Sequence, residues 1–435
     1  MKPSRIIIIG GGPAGVAAAG ELARKNNQVI LVEQFSSLGG VVFRHDFHNN
    51  SCSLIPKSIS KCWKDLKQIL FAHQHNISIK LNTTFIGMDC NGFVMLSERG
   101  SQQIETLQCD GLIVATGAVE KIRPVQGWNN SSVVTAGGLQ VSVKTSKQAL
   151  PGDTIIAGNG PLLFAIGAQL TKLGNPPKAI IDSGNPMRPT FSHFSLSLSY
   201  AFEGIQYINT LRKAKVPLYF NSQLKSIVNK GKQLEIARVD HSGTEYPLKT
   251  NILALHNGLT PNNHGIPDEN TDLSFGTIVL HAGDCLEISG SLGAALNGMT
   301  KACQLINILN ENPAQKIQYN KHLVIQQKLN RIFKPRQQFS LISLPNDTLL
   351  CRCEQKTIGD LKALCQRPNI TAKEIKLNGR FTMGRCQGRF CEENVKTCMS
   401  EIGVSSINQL FRTNSRWPVK PINIRSLANL NSKLE

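Results

Sequence analysis

The chain has 435 residues, enough for two or three domains of about 100–200 residues each. Hydrophobic residues make up 41% and charged residues 18%, a globular composition that excludes collagen, a coiled coil and wholesale disorder. Lysine and arginine (48) outnumber aspartate and glutamate (29), so the formal net charge is +19. That excess permits nucleic acid, acidic membranes or anionic cofactors as partners without choosing among them.

The N-terminal residues allow two interpretations. Lys2 and Arg5 precede an apolar run, Ile6–Ile9, and small residues follow at 17–19, a pattern shared with secretory signal peptides. Three consecutive glycines at 10–12 interrupt the run, so we favour a buried strand over a signal peptide. No apolar run in the sequence approaches the ~20 residues that a membrane span needs. We expect a cytoplasmic protein for which peripheral membrane contact stays possible.

Residues 5–15 predict a strand followed by a phosphate-binding turn. Arg5–Ile9 is a short β-branched run suited to a strand buried on both faces. Gly10, Gly12 and Gly15 follow at the spacing G-x-G-x-x-G. The first glycine allows a tight turn, the second lets the backbone approach a pyrophosphate, and the third lets a helix pack against the strand.

The next elements complete a dinucleotide-binding unit. A helix is expected over 13–25, and a second strand over 29–32 ends at Glu33. Phosphates would lie at the helix N-terminus, where free N–H groups and the helix dipole favour anions. Glu33 stands about 20 residues after the turn, where a carboxylate accepts ribose hydroxyls. A glycine-rich turn without a ligand is the structural alternative.

Residues 112–117 (LIVATG) predict a buried strand that ends in a small-residue turn. Between the predicted strand at 29–32 and this one, Leu38-Gly39-Gly40 marks a second glycine loop. No redox cysteine pair follows that loop, and the sequence contains no C-x-x-C motif. Disulfide-reductase chemistry is therefore disfavoured.

Residues 154–173 repeat this organisation with a defect. They predict a strand, a glycine turn and a helix in which Gly158 and Gly160 take the first two glycine positions, whereas Leu163 occupies the third. Asp182 ends the next strand but is followed by a turn, SGNP. The repeat predicts a second nucleotide-binding unit. NAD(P), another nucleotide and no ligand all stay open for it.

A third signal lies at residues 277–305. An apolar strand over 277–280 leads into HAGDC, which places Gly283 and Asp284 just before a small-residue helix over 290–305. Taken alone, Asp284 would be read as an N-cap or turn aspartate.

In this order the motifs resemble the two-dinucleotide-domain flavoprotein reductases. In that family the acid after the second strand binds the adenosine ribose, and the ATG turn closes over the nucleotide. The Leu-Gly-Gly loop approaches the flavin, and the Gly-Asp aspartate holds the ribityl chain or the flavin phosphate. The resemblance implies FAD, held by residues of these motifs: Gly10, Gly12, Pro13, Ala14, Gly15, Glu33, Gln34, Gly40, Ala115, Thr116, Gly117, Gly283 and Asp284.

Cysteines concentrate near the C-terminus. Cys351-x-Cys353 and Cys386-x4-Cys391 form two close pairs that local turns could bring to one centre. Four thiolates suit a [2Fe–2S] cluster. Zinc and unligated thiols stay open as alternatives, although zinc sites favour C-x-x-C knuckles. Basic residues flank the pairs and would balance an anionic cluster: Arg352, Lys356, Arg380, Arg385 and Arg389.

The ending CRCE…MGRCQGRFC resembles the bacterioferritin-associated-ferredoxin type of [2Fe–2S] domain. With it, the resemblance narrows to the FAD-containing α subunits of heteromeric amine and imino-acid dehydrogenases. This family includes D-hydroxyproline dehydrogenase, dye-linked L-proline dehydrogenase, opine oxidase and the hydrogen cyanide synthase subunit of similar build. The resemblance covers about residues 5–400, and its further motifs lie at 115–125, 127–128, 135–140, 150–163 and 258–262.

This second resemblance implies an electron-transfer subunit. It implies a [2Fe–2S] cluster with ligands at the four matching positions: Cys351, Cys353, Cys386 and Cys391. It also implies a separate flavoprotein subunit that oxidises the C–N bond of an amino- or imino-acid substrate, together with a possible small ferredoxin-like subunit. The substrate class would be hydroxyproline, proline or an opine.

The sequence predicts the fold class α/β: two Rossmann-like three-layer dinucleotide-binding domains, the second inserted in the first, plus a small α-rich C-terminal [2Fe–2S] module. A linker rich in Lys, Gln and Pro is expected over about 315–345. The run 422–430 is expected either to dock on a partner or to stay mobile, with mobility as the default. The predicted segments are a FAD-binding domain at 1–120 and 256–320, a connecting segment at 121–151, a second nucleotide-binding domain at 152–255, the [2Fe–2S] module at 346–405 and a tail at 406–435.

Two other functions compete with the electron-transfer role, and nothing in the sequence assigns a catalytic acid or base. A stand-alone NAD(P)H-dependent reductase that passes electrons to an external carrier needs a working site at 158–163. A nucleic-acid-binding protein needs basic residues grouped with exposed aromatics. Only 6% of residues are aromatic and the basic residues are dispersed, so we expect no nucleic-acid partner.

Overall fold

The computed structural model describes residues 3–43, 55–89, 91–101, 103–146, 148, 152–189, 192, 196–271, 276–311, 320–335, 340–404 and 418–431. The strands in these ranges are β1 (Arg5–Ile9), β2 (Gln28–Val32), β3 (Ile77–Lys80), β4 (Thr83–Met88), β5 (Val94–Glu98), β6 (Ile104–Leu107), β7 (Gly111–Val114), β8 (Ala118–Glu120), β9 (Val133–Thr135), β10 (Thr154–Gly158), β11 (Ala179–Asp182), β12 (Leu218–Tyr219), β13 (Gln223–Asn229), β14 (Leu234–Val239), β15 (Glu245–Thr250), β16 (Ile252–His256), β17 (Leu259–Pro261), β18 (Ile278–His281), β19 (Leu349–Cys351) and β20 (Lys356–Thr357).

The helices are α1 (Pro13–Arg24), α2 (Gly40–Phe43), α3 (Lys57–Ala72), α4 (Ala136–Ser146), α5 (Leu162–Lys172), α6 (Leu198–Lys213), α7 (Gly290–Leu309), α8 (Lys321–Ile332), α9 (Ile358–Cys365), α10 (Ala372–Gly379), α11 (Glu392–Ile402) and α12 (Ile424–Asn431). Short 3₁₀ turns lie at Gln74–Asn76, Gly283–Cys285 and Leu341–Ser343. None of the helices in the described ranges has the length and apolar character needed to cross a membrane.

The chain divides into two compact units. Unit 1 comprises Met1–Val119, Thr260–Gln326 and Thr413–Glu435, and unit 2 comprises Glu120–Leu259 and Gln327–Arg412. In unit 1 a parallel sheet has the strand order β18-β7-β1-β2-β3.

Both faces of the unit 1 sheet are covered, as the continuous apolar run of β1 predicts. Ile6 and Ile8 of β1 face a helical layer formed by α1, α3 and α7. Ile7 and Ile9 point to the other face, which packs against the antiparallel sheet β4-β5-β6. Because successive side chains of a strand alternate between faces, four consecutive isoleucines can serve two cores.

Unit 2 repeats this layered arrangement. Its parallel sheet has the order β12-β11-β10-β16-β9. One face packs against α4, α5, α6 and the end of α8, and the other packs against the antiparallel sheet β13-β14-β15. The prediction of an α/β fold with parallel, Rossmann-like sheets is therefore confirmed.

The C-terminal part of unit 2 is a small helical module with its own core. The β19–β20 hairpin and helices α9, α10 and α11 enclose apolar side chains that include Phe381. Helices α9 and α10 begin with capping boxes, in which Thr357 pairs with Asp360 and Thr371 pairs with Glu374. Each cap satisfies two backbone N–H groups that would otherwise lack partners, so it fixes the residue at which each short helix begins.

Two segments near the C-terminus carry helices that the sequence did not predict. The predicted linker over 315–345 contains helix α8, since its described residues include a 12-residue amphipathic segment. The run 422–430, expected to stay mobile, forms α12, and its Ile422 and Leu427 pack against Ile86, Met95 and Ile104 in unit 1. The polar, Asn-rich composition hid the two apolar side chains that hold this helix to the sheet. Residues 405–417 of the tail lie outside the described residues.

Candidate functional site

The first glycine turn of unit 1 is closed by a neighbouring strand. Gly10 has φ +112°, and a Cβ there would lie 2.3 Å from the Ala115 carbonyl oxygen. A Cβ at Gly15 would lie 1.9 Å from the Gly10 carbonyl oxygen. Only glycine fits either position, because any side chain would overlap the backbone of the turn.

Helix α1 begins directly after this turn with Pro13 and Ala14. Its N-cap residue is Gly12, which has no side chain to cap the first turn. The N–H groups of that turn are therefore left for an anionic ligand, as at other phosphate-binding helix N-termini. Gly40 (φ +61°) lies against the same residue, because a Cβ at Gly40 would be 3.1 Å from the Gly12 Cα atom.

Glu33 ends β2 beside the turn and is only 6% exposed. Its Oε2 accepts a hydrogen bond from the Gly11 N–H (2.9 Å), and its Oε1 accepts one from the Phe35 N–H (3.0 Å). The carboxylate is thereby fixed at the carboxyl edge of the sheet, where dinucleotide riboses bind in this fold. The exposed side chain of Gln34 accepts a hydrogen bond from the Lys420 amine.

The small-residue turn after β7 is held by Asn262, which is not among the FAD-binding residues predicted from the sequence. The Thr116 hydroxyl donates to the Asn262 carbonyl oxygen (2.7 Å), and the Asn262 side-chain amide donates back to the Thr116 carbonyl (3.2 Å). The Asn262 N–H also donates to the Gly117 carbonyl (2.9 Å). Asn262 lies in the motif at 258–262, so the motif located the residue without revealing this contact.

Asp284 lies in the 3₁₀ turn Gly283–Cys285 between β18 and α7. Its Oδ1 accepts hydrogen bonds from the N–H groups of Ser289 (2.8 Å) and Gly290 (3.2 Å). Burial raises the pKa of the Asp284 carboxyl above its ordinary value, and these hydrogen bonds oppose the rise. Asp284 therefore caps the start of α7.

Small residues let α7 approach α1. A Cβ at Gly283 would lie 2.6 Å from the Ala14 Cβ, and a Cβ at Gly298 would lie 2.1 Å from the Ala14 carbonyl oxygen. The close packing places the Asp284 turn against the N-terminus of α1. The structure thus brings the sequence-predicted residues of unit 1 to the carboxyl ends of β1, β2, β7 and β18. An uncapped helix N-terminus beside a fixed carboxylate fits a dinucleotide such as FAD.

The second glycine turn, in unit 2, forms as the repeat predicts. Gly158 has φ +141°, and a Cβ there would lie 1.7 Å from the His256 carbonyl oxygen. Gly160 has φ +112° and lies beside the His256 ring. Leu163, in place of the third glycine, is fully buried in the core between α5 and the sheet.

Asp182 does not reach the surface of this second site. Its side chain is 0% exposed, and its Oδ1 accepts hydrogen bonds from the Asn159 amide (3.2 Å) and the Gly184 N–H (2.9 Å). Its Oδ2 has no hydrogen-bond partner in the described part of the chain. Burial raises the pKa of Asp182 to about 7. The Asn159 amide also donates to the Phe333 carbonyl (2.6 Å), so the end of α8 covers this edge.

A cavity of about 230 Å³ opens at the carboxyl ends of β10, β11 and β16. Its walls include Lys121, Arg123 and Ser183. Nearby, the Glu120 carboxylate bonds to the His256 Nδ1 atom (2.8 Å) and lies almost fully buried. Burial alone would raise the pKa of Glu120, but hydrogen bonds from His256, Thr135 and the Gly137 N–H together lower it. No motif in the sequence pointed to this pair, because its members lie far apart in the chain.

The four predicted cluster cysteines lie in the helical module as two contacting pairs. The thiols of Cys351 and Cys391 share a hydrogen bond, and so do those of Cys353 and Cys386. Cys351 and Cys391 are buried, whereas Cys353 is exposed. Gly384 makes the approach possible, because a Cβ there would lie 2.5 Å from the Cys353 Cβ.

Backbone N–H groups point at the cysteine sulfurs. The Cys391 thiol, with the N–H groups of Glu354, Cys353 and Thr382, lowers the pKa of Cys351 to about 6. The hydrogen bond with the Cys351 thiol, together with burial, raises the pKa of Cys391. N–H donors aimed at sulfur are of the kind that stabilises cluster thiolates. Within the described ranges, however, no three His, Cys, Asp or Glu side chains converge closely enough to hold a metal ion.

Known proteins resemble the chain along nearly its whole length. Hydrogen cyanide synthase subunit HcnB of Pseudomonas aeruginosa is 26% identical, with 99% of each chain covered. An opine oxidase subunit of Rhizobium meliloti is 24% identical, with 98% of each chain covered. Both are relatives of the kind that the motifs predicted.

Among solved structures, L-proline dehydrogenase from P. horikoshii superposes with a TM-score of 0.63 at 18% identity, over 97% of this chain and 80% of that one. This likeness supports the fold. Residues 4–282 match the pyridine nucleotide-disulphide oxidoreductase family, a span that includes both glycine turns and ends beside the Asp284 turn. The chain therefore belongs to the pyridine nucleotide-disulphide oxidoreductase family and is an oxidoreductase.

Proposed function

We propose that the protein is the FAD- and [2Fe–2S]-containing electron-transfer subunit of a heteromeric dehydrogenase or oxidase. The complex would act on an amino- or imino-acid-type C–N bond. The observation that carries this proposal is that the similarity to two named subunits extends over 98–99% of both chains and so includes the cysteine module. A separate substrate-oxidising flavoprotein subunit would be the partner. A small ferredoxin-like protein is a further candidate for the complex.

The roles of the residues follow from their positions. In unit 1 the glycine turn would bind the FAD pyrophosphate, Glu33 the adenosine ribose, and Asp284 the ribityl chain or flavin phosphate. Cys351, Cys353, Cys386 and Cys391 would hold the cluster. When bound, FAD exchanges one or two electrons and the cluster exchanges one, so together they connect two-electron substrate oxidation to one-electron transfer.

The stand-alone NAD(P)H reductase loses support from the second site. Asp182, which would have to accept ribose hydroxyls, is fully buried and already bonded to Asn159 and Gly184. Its raised pKa also weakens it as an acceptor. Another nucleotide, or none, fits unit 2 better, and Arg123 lines the adjoining cavity.

The cluster is tested by comparing two cysteine variants. We expect Cys386→Ser to lose most of the iron and acid-labile sulfide after anaerobic purification, because one of four ligands is removed. Cys365→Ser lies in the same module outside the four-cysteine set, and it should retain both. Wild-type protein that carries FAD but neither iron nor sulfide would refute the cluster assignment.

The FAD site and the partner are tested on the same preparations. We expect Glu33→Gln to weaken FAD binding about ten-fold or more, since a hydrogen-bonded charge contributes about 1.5–3 kcal/mol. Glu105→Gln, a surface control, should bind FAD like the wild type. Adding NADH under anaerobic conditions should leave the flavin oxidised. In the native complex, an amino- or imino-acid substrate should reduce the flavin. Rapid bleaching by NADH would favour the stand-alone reductase instead.

A further inference from the structure

The two cysteine pairs differ in their access to solvent. Cys351 and Cys391 belong to the core of the module, together with Ile358 and Phe381. Cys353 is exposed and Cys386 is half-buried. A cofactor held by the four thiols would therefore have one inward side and one outward side, and the outward side is marked by Cys353.

Apolar side chains stand exposed around this outward pair. Met383 is 36% exposed and precedes Gly384, the residue that contacts Cys353. Phe390 is 44% exposed, and its N–H points at the Cys386 sulfur. Exposed apolar side chains that border a functional group are typical of the centre of a protein-docking surface.

Two exposed arginines directly adjoin the outward cysteines in sequence. Arg352 is adjacent to Cys353, and its guanidinium lies over the Trp128 ring at 5.0 Å from the centroid. The Trp128 indole N–H donates a hydrogen bond to the Leu349 carbonyl (2.7 Å), which fixes the orientation of the ring beneath Arg352. Arg385 is exposed between Gly384 and Cys386.

Five of the seven acidic residues of the module at 346–405 are engaged in ion pairs or helix caps. Three form ion pairs with basic side chains, and two cap helices. They are Glu354 with Arg380, Glu392 with Lys396, Glu393 with Lys121, Asp360 at the start of α9, and Glu374 at the start of α10. In the described part of the chain, no carboxylate forms an ion pair with Arg352 or Arg385. The positive charge at the outward pair is therefore available to a partner.

We propose that Arg352, Cys353, Met383, Arg385 and Phe390 form a docking surface, the Cys353 face, for an acidic electron-carrier protein. The proposal rests on the proposed function, because it assigns a partner to the outward side of the cysteine site. Complementary charge would orient the carrier and speed encounter, while Met383 and Phe390 would exclude water from the contact.

The test measures binding at low ionic strength with two probes of opposite charge. The probes are a bacterial flavodoxin, which is acidic, and mitochondrial cytochrome c, which is basic. Calorimetric titration of the full-length holoprotein is repeated on R352Q/R385Q and on R367Q/K373Q. The second variant loses the same charge from exposed positions of the module outside the Cys353 face.

We expect flavodoxin to bind wild-type protein, and the dissociation constant to rise about ten-fold in R352Q/R385Q but less than two-fold in R367Q/K373Q. Binding should also weaken as salt shortens the Debye length. Equal losses in both variants, no loss in R352Q/R385Q, or equal binding of cytochrome c would each overturn the proposal. If R352Q/R385Q does not fold, the single variant Arg385→Gln takes its place.

Iron and sulfide assays on the same samples keep the two proposals apart. Cluster content at the wild-type level with unchanged flavodoxin binding in R352Q/R385Q would reject the Cys353 face and leave the cluster assignment intact. Absent iron and sulfide would reject the cluster assignment, and with it the electron-transfer role of the face.

Discussion

Each unit places an acid at the end of its second parallel strand, and the two carboxyl groups lie in different surroundings. Glu33 receives N–H donors on both oxygens and stays at the edge of the site. Asp182 is fully buried, with donors on Oδ1 only. A charged carboxylate needs compensating donors when it leaves water, so the same position holds a doubly hydrogen-bonded carboxylate at the site edge in one unit and a fully buried acid in the other.

The raised pKa of Asp182 should make the free energy of unfolding depend on pH. Its pKa is about 7 in the folded protein and about 4 when unfolded, so the folded state binds a proton more tightly. The stabilisation is complete below about pH 4 and is lost as the pH rises to about 7, by up to about 4 kcal/mol. Denaturant unfolding of wild-type protein and Asp182→Asn at pH 4.5, 6.0 and 7.5 measures it. We expect a clearly flatter pH profile in the variant.

The exposed Asp153, which pairs with Lys178, supplies the control. Asp153→Asn should keep the wild-type pH profile, because an exposed ion pair contributes little to stability. An Asp182→Asn profile parallel to that of the wild type would show that Asp182 is ionised in the fold.

At the scale of elements, the two glycine turns depend on strands distant in sequence. Gly10 is closed by the end of β7, and Gly158 by the end of β16. The G-x-G-x-x-G spacing predicts each turn locally, whereas the contact with a distant strand follows only from the parallel order of the sheet. For the same reason the hydrogen bonds between Thr116 and Asn262 could not be predicted from the spacing of residues in the sequence, although both residues lie in recognised motifs.

The packing of α1 against α7 should be sensitive to a single methyl group. Gly298→Ala would place a Cβ 2.1 Å from the Ala14 carbonyl, and overpacking of this kind costs about 1–3 kcal/mol. Because Ala14 lies in the first turn of α1, we also expect weaker FAD binding. The measurements are denaturant unfolding and FAD titration.

Gly204 in α6 is the matched control, since a Cβ there has no neighbour within 4 Å. Gly204→Ala should stabilise the protein by about 0.5–1 kcal/mol through the helix preference of alanine. Equal effects of the two substitutions would mean that α1 and α7 do not pack as closely as the structure places them.

At the scale of the whole molecule, the order of nucleotide unit, inserted repeat and cysteine module follows from motifs spaced along the sequence. Each motif carries its own local geometry, so its position in the chain was sufficient. Two features needed the tertiary structure. The Asn159 amide donates both to Asp182 and to the Phe333 carbonyl just after α8, and the helical tail packs on the β4-β5-β6 sheet. Neither Phe333 nor the sheet surface leaves a hydrophobic periodicity in the sequence of the segment that contacts it.

Helix α12 offers the sharpest test of how the tail is held. Leu427 packs on the sheet residues Ile86, Met95 and Ile104, whereas Ile424 on the same helix is 82% exposed. We expect Leu427→Ala to destabilise unit 1 by about 1–2 kcal/mol, because a half-buried leucine loses part of its transfer free energy. Ile424→Ala should stay within about 0.5 kcal/mol of wild type.

FAD release during thermal unfolding, followed by flavin fluorescence, reports this loss from unit 1 itself. The tail also donates the Val419 N–H to the Ile86 carbonyl (2.7 Å) and the Lys420 amine to Gln34, the neighbour of Glu33. Loosening α12 should therefore lower the temperature of FAD release in Leu427→Ala and not in Ile424→Ala. Coincident release temperatures for the two variants would place the tail off the sheet, because only a packed helix distinguishes its inner face from its outer one.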